Sequence, residues 1–160
     1  MRIHPTAVID SQAEIHAEVE VGPYVVIQGP VKIGRGTRIM AHAVVTGWTE
    51  IGEDNEVHPG AVLGDAPQDM AYRGEETYLR IGNQNSFREH VQIHRGTTAG
   101  SATVIGDRNY LMGSAHVAHN CRLGNEIVLA NGVLLGGYVE IGDRAFISPS
   151  LRCRRFPCSK

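Results

Sequence analysis

The chain has 160 residues, a formal net charge of -2 and a pI near 6.4, a balance that argues against a general binder of nucleic acid or of membrane surfaces. No stretch approaches the 18 consecutive apolar residues of a membrane span, and Met1 to Asp10 has no apolar leader region. The sequence therefore reads as neither secreted nor membrane-spanning, with the cytoplasm as the default compartment. Its three cysteines do not make a disulfide framework, and Cys153 and Cys158 lack the spacing of a zinc site.

From the N-terminus, every sixth residue is apolar: Ile3, Ile9, Ile15, Val21, Ile27, Ile33, Ile39, Val45, Ile51, Val57 and Leu63. The phase resumes at Ile81, Phe87 and Ile93, and again from Ile105 to Ile147. Of its 25 positions, 22 are Ile, Val, Leu or Phe, and the exceptions are Asp69, Glu75 and Ala99. A helix repeats at 3.6 residues and a strand at 2, so a sustained period of six fits neither, and it predicts a solenoid of hexapeptides.

The residue two before each apolar position is often small or apolar too, as at Val19, Val25, Ala43, Ala61, Ala115 and Val133, and Cys121 falls in this slot as a packed thiol. Each hexapeptide is then one short strand with two inward side chains, followed by a bend. Asn55, Asn85 and Asn109 take the small inward slot in three repeats, and glycines such as Gly34, Gly52, Gly106 and Gly124 directly follow the apolar residue, where the bend is expected to need their conformational freedom. Three strands make a triangular coil of 18 residues, and about eight coils make a rod ~40 Å long. The predicted class is all-β, a parallel β-helix over residues 1–148.

Two interruptions break the rhythm. Asp69 and Glu75 cannot sit unpaired in a narrow apolar prism, so residues of about 65–80 are expected to leave it as a loop. Residues 96–102 are small and polar and read as a second excursion at a corner, taken to add about four residues. Loops on a rigid scaffold are where function concentrates, which narrows the search to what these two overhang. Residues 149–160 carry four basic residues and two prolines; they read as a non-repeat tail of a truncated product, unable to build another coil.

None of the eight histidines lies in the apolar phase, so each is expected to point outward or to sit near a corner. His4, His16, His42 and His58 read as surface residues. His90, His94, His116 and His119 cluster around the second loop, where His94 and His116 are expected to stack one coil apart. His119 precedes Asn120, whose side chain could orient the ring, and a neutral imidazole is the usual general base toward a hydroxyl nucleophile.

The segments Ile3-His-Pro-Thr-Ala, Gln68-Asp-Met-Ala-Tyr-Arg-Gly-Glu, Ile93-His-Arg-Gly-Thr, Ala115-His-Val-Ala-His-Asn-Cys and Leu129-Ala-Asn resemble the UDP-N-acetylglucosamine O-acyltransferases that start lipid A synthesis in Gram-negative bacteria. The resemblance spans about residues 1 to 148. It implies a left-handed β-helix, homotrimers with sites between neighbouring prisms, and transfer of a 3-hydroxyacyl group from acyl carrier protein to the sugar 3-hydroxyl, with no cofactor, metal or acyl-enzyme. It further implies that His119 is the general base and that Gly137 offers its backbone N–H to the oxyanion. Asp69 and His116 would hold the sugar nucleotide, with His94 lining the same cleft and Tyr138 standing where the family often has another histidine. The chain departs from the family pattern at Asn120, where an aspartate is usual, at Ala71, where a basic residue is common, and in lacking the helical C-terminal domain.

Two other readings stay open on the residues alone. One is a zinc-dependent hydratase on the same β-helix, using histidines from adjacent subunits; the other is a non-catalytic scaffold that binds sugar nucleotides.

Overall fold

A computed structural model describes residues 2–149 and the backbone of Arg152 and Cys153. Short strands, most of them two residues long, form three parallel sheets of eight, eight and seven strands. The first sheet begins at Arg2–Ile3, the second at Val8–Ile9 and the third at Glu14–Ile15. The chain visits the three in turn, so each strand pairs with its own sheet one coil later: Ile3 with Val21, Ile9 with Ile27, Ile15 with Ile33. The fold is the left-handed parallel β-helix.

The two inward slots of each strand fill the axis. Ile27, Ile39, Val45, Leu63, Phe87, Ile93, Leu111, Leu129 and Leu135 are fully buried, and so are their companions two residues earlier, including Val25, Ala43, Ala61, Val91, Ile127 and Val133. Cys121 is buried among them; its thiol lies 3.1 Å from the Gly136 carbonyl oxygen, and burial pushes the thiol up to about 11. The three inward asparagines form a ladder along the axis. Asn55 Oδ1 accepts from both the backbone N–H and the Nδ2 of Asn85, Asn85 Oδ1 accepts from Asn109 N–H, and Asn109 Oδ1 accepts from Ile127 N–H. Each buried amide thereby has partners, as low-dielectric surroundings demand.

The bends differ from the sequence expectation. The left-handed backbone falls three residues after many of the apolar positions, at Tyr24, Asp54, Gln84, Arg108, Asn120 and Tyr138 among others, and of the glycines that directly follow an apolar position only Gly64 adopts it. Those glycines answer to a different constraint. A Cβ at Gly34 would come within 2.6 Å of the Gly52 carbonyl oxygen, and one at Gly52 within 2.5 Å of that of Gly82, so the column is glycine because successive coils touch there.

Both excursions leave from the corner between the second and third sheets. The first lies between strands Val62–Asp65 and Tyr78–Ile81, the second between Gln92–His94 and Ala102–Ile105. Gly64, at φ 83°, makes a bulge that shifts the register between Leu63 and Asp65 and turns the chain outward. Across the second loop Ile93 pairs with Val117, a separation of 24 residues, so the excursion adds six residues to an 18-residue coil and not four. The tail also departs from expectation: Arg152–Cys153 pairs in parallel with Leu134–Leu135. Cys153 stands six residues after Ile147, in the repeat phase, and a parallel ladder is made by main chain whatever the side chains are. Residues 154–160, with Cys158, lie outside the described residues.

Candidate functional site

One corner carries the site. Where the second sheet hands over to the third, four successive coils present the first loop with Asp69, the second loop with Thr97, the bend His119–Asn120 and the bend Gly137–Tyr138. An 18-residue coil places Gly137 over His119 and Tyr138 over Asn120. A Cβ at position 137 would meet the His119 ring at 2.6 Å, so the glycine is what lets the imidazole lie flat along the corner. Tyr138 N–H donates to the His119 carbonyl at 3.0 Å, and its ring stands edge-on to the imidazole at 5.3 Å.

The ring's tautomer follows from its partners. Asn120 adopts φ 60°, a conformation asparagine tolerates, and its own N–H donates to the buried Thr103 hydroxyl at 2.8 Å. Its side-chain oxygen accepts the backbone N–H of Thr97 at 3.0 Å, and a donor there identifies that atom as oxygen and not nitrogen. The same oxygen is 3.0 Å from His119 Nδ1, which must therefore carry the proton. In the neutral ring the lone pair is then on Nε2, which is directed toward Asp69, whose Oδ2 is 4.0 Å away. That distance is too long for a hydrogen bond, but it is an ion-pair distance once the imidazole is charged.

Asp69 is held ionised. Its Oδ1 accepts the N–H of Ala71 at 2.9 Å and its Oδ2 the hydroxyl of Thr97 at 2.8 Å. The Ala71 bond, followed by the Thr97 bond, keeps its pKa below the ordinary aspartate value.

His94 and His116 form a second pair, with ring centroids 5.1 Å apart and tilted by 51°. They meet although Gln92 is the residue in register with His116. His94 sits at the corner, as the phase allows, and is buried there because the first loop folds over it: its Nδ1 donates to the Ala66 carbonyl at 2.7 Å. Its Nε2 is buried with no hydrogen-bond partner among the described residues. Burial, and then the neighbouring His94, lower the pKa of His116 below the usual imidazole value.

Arg95 locks the first loop to the prism. Its guanidinium donates to the Gly64 carbonyl at 2.8 Å and the Tyr72 hydroxyl at 2.9 Å, lying between the rings of Trp48 and Tyr72. The structure thus brings His119, Asn120, Gly137, Tyr138 and Asp69 together and pairs His94 with His116. Arg95 and Thr97 were given no role by the sequence. Both belong to the run Ile93-His-Arg-Gly-Thr, and only their position under the loops reveals what they hold.

Among the described residues no helix is long and apolar enough to cross a membrane, and no three His, Cys, Asp or Glu side chains converge as metal ligands.

A left-handed prism of hexapeptides, with a histidine and an acidic loop at one corner, defines a hexapeptide-repeat protein, and the family description "bacterial transferase hexapeptide (six repeats)" matches residues 30–65. The chain is 48% identical over 145 residues to the acyl-[acyl-carrier-protein]–UDP-N-acetylglucosamine O-acyltransferase of Thermodesulfovibrio yellowstonii, covering 90% of this chain and 56% of that one. Among solved structures, the enzyme of Acinetobacter baumannii superposes with a TM-score of 0.87 at 47% identity, covering 90% of this chain and 56% of that one. The UDP-N-acetylglucosamine acyltransferase of Bacteroides fragilis gives 0.74 at 35% identity, covering 91% and 67%. The chain belongs to the UDP-N-acetylglucosamine O-acyltransferase family. It spans about half the length of the curated relatives it matches. Nothing in these likenesses supports the zinc-hydratase alternative.

Proposed function

We propose that the protein transfers a 3-hydroxyacyl group from acyl carrier protein to the glucosamine 3-hydroxyl of UDP-N-acetylglucosamine, the first step of lipid A synthesis, in the cytoplasm and as a homotrimer. The observation that carries this reading is the orientation of His119: Asn120 fixes the proton on Nδ1 and leaves Nε2 free to act as a base.

In this mechanism Nε2 takes the proton of the sugar 3-hydroxyl as its oxygen attacks the thioester carbonyl carbon. The new C–O bond forms a tetrahedral oxyanion, to which the Gly137 N–H donates; losing a preorganised donor of this kind costs ~3 kcal/mol of barrier. The C–S bond then breaks, and the imidazolium returns its proton to the departing carrier thiolate. Ester and free thiol are the products, with every proton accounted for and no acyl-enzyme. Asp69, His94, His116 and Tyr138 line the cleft and hold the sugar nucleotide. The unpartnered Nε2 of His94 is suited to accept a hydrogen bond from the ligand.

The test is to incubate the 160-residue chain with 3-hydroxyacyl carrier protein and UDP-N-acetylglucosamine and to follow product by mass spectrometry. A 3-O-acylated nucleotide sugar formed with release of one carrier thiol per ester is the expected result. Unchanged substrates, with UDP-N-acetylglucosamine bound as judged by calorimetry, would leave a sugar-nucleotide scaffold and overturn the enzymatic reading.

A further inference from the structure

An aspartate beside a catalytic imidazole performs two tasks at once: it fixes the tautomer and its charge stabilises the imidazolium. Here the residue beside the ring is Asn120, which can do only the first. A carboxylate nevertheless stands on the other side, where Asp69 Oδ2 is 4.0 Å from Nε2. The two tasks are split between side chains from different coils, 51 residues apart in sequence, and their relative placement must be held to a fraction of an ångström for either to work.

Thr97 joins them. Its backbone N–H donates to Asn120 Oδ1 at 3.0 Å, and its hydroxyl donates to Asp69 Oδ2 at 2.8 Å, the very oxygen that faces the imidazole. The residue is itself buried, 7% exposed. It also sits at a fixed point of the prism: its loop is closed at the base by Gly96 N–H donating to the Tyr78 carbonyl at 3.2 Å and, beyond it, by Ser101 N–H donating to the Thr98 carbonyl at 2.9 Å. Asp69, by contrast, rides on the first loop, whose other ties are made away from the aspartate, by His94 at the Ala66 carbonyl, Gly100 N–H at the Glu76 carbonyl and Arg95 at the Tyr72 hydroxyl, whereas Thr97 bonds the aspartate itself.

We propose that Thr97 is a positioning residue for the acyl-transfer base, holding the orienting amide of Asn120 and the charge of Asp69 on opposite sides of His119. The inference rests on the acyl-transfer reading of the site. Thr97 does not touch the ring; it acts through the two residues that do.

The variants Thr97→Val and Thr97→Ser test this, in the full chain, with transfer rates measured beside 15N and 13C NMR titration of the His119 ring and the Asp69 carboxyl. Valine keeps the shape and the N–H but removes the hydroxyl. It is expected to lower kcat/KM about 10- to 100-fold, the cost of one hydrogen bond to a charged group, and to move the Asp69 titration up toward the ordinary aspartate value. Serine is expected to restore both. In an Asp69→Ala background, Thr97→Val should have no further effect on rate, since the group through which it acts is gone. A Thr97→Val protein that turns over within twofold of wild type, with an unmoved Asp69 titration, overturns the proposal while the acyl-transfer reading stands. If the wild-type chain does not turn over, that reading fails, and the Asp69 titration in Thr97→Val still decides whether Thr97 holds the loop: an upward move supports it and no move refutes it.

Discussion

The imidazole of His119 lies in the space that a side chain at position 137 would fill, with its Cε1 and Nε2 atoms 2.6 Å from where that Cβ would be. Gly137 therefore serves the site by what it lacks, apart from any role of its N–H. Gly137→Ala should displace the ring by about an ångström and reduce kcat about 100-fold. Both the thermal midpoint and the circular dichroism of the prism should stay near wild type, because Gly137 lies outside the buried slots; a rate within threefold of wild type would show that the ring has another place to lie.

Asn120 orients His119 without charge. Asn120→Asp keeps an oxygen for the Thr97 N–H and for Nδ1, and aspartate, like asparagine, tolerates the left-handed backbone at this bend. A carboxylate there should stabilise the imidazolium formed as the proton moves and raise kcat severalfold, with KM for the sugar nucleotide unchanged. Steady-state kinetics of the purified variant measure both; a fall in kcat would indicate that two carboxylates flanking one ring trap its proton.

Two groups make the site sensitive to acid. The pKa of Asp69 in the folded protein is below its unfolded value, so the stability it contributes is present above the ordinary aspartate range and is lost as pH falls through the folded value. His116 is also depressed, chiefly by burial and then by His94. For an imidazole this means that the unfolded state binds the proton first, so stability declines as pH drops below the usual histidine value of about 6.5. NMR titration should find His116 neutral at pH 7, and His94→Gln should raise its titration point only partly, leaving the contribution of burial.

The asparagine ladder is a separate test of the prism. Asn85→Ala would leave the buried N–H of Asn109 without its acceptor and remove the Nδ2 bond to Asn55. Chemical denaturation should show a loss of about 2–4 kcal/mol, with no change in the sheet register.

The prism was legible in the sequence because its axis admits only apolar or mutually bonded side chains, and one slot in six is enough to reveal it. The first loop was legible because Asp69 and Glu75 fell in that slot, and the second because residues 96–102 are small and polar. The length of the second excursion is a subtler matter: it adds six residues, a whole hexapeptide, so Ile93 and Ile105 remain in phase and the count alone does not reveal that a coil has been lengthened. The spacing from Gly82 to Gly106, which is 24 residues, does mark it. The site was legible as residue types, His119 with Asn120 and the aspartate of the loop, and its assembly was not. That Thr97 bonds to both Asp69 and Asn120, that Arg95 lies between Trp48 and Tyr72, and that Ala66 covers His94 are contacts between loops, which obey no period. The bends show the same limit, since glycine signals both conformational freedom and close approach, and only the coordinates separate the two at Gly34 and Gly52.

The central claim is that Nε2 of His119 removes the proton from the sugar hydroxyl, and the rate of ester formation by His119→Ala measures it most directly. With saturating 3-hydroxyacyl carrier protein and UDP-N-acetylglucosamine, the variant should form product about 10²- to 10⁴-fold more slowly than wild type, with the β-helix intact by circular dichroism and the nucleotide sugar still bound. Turnover at the wild-type rate in that protein would contradict the account.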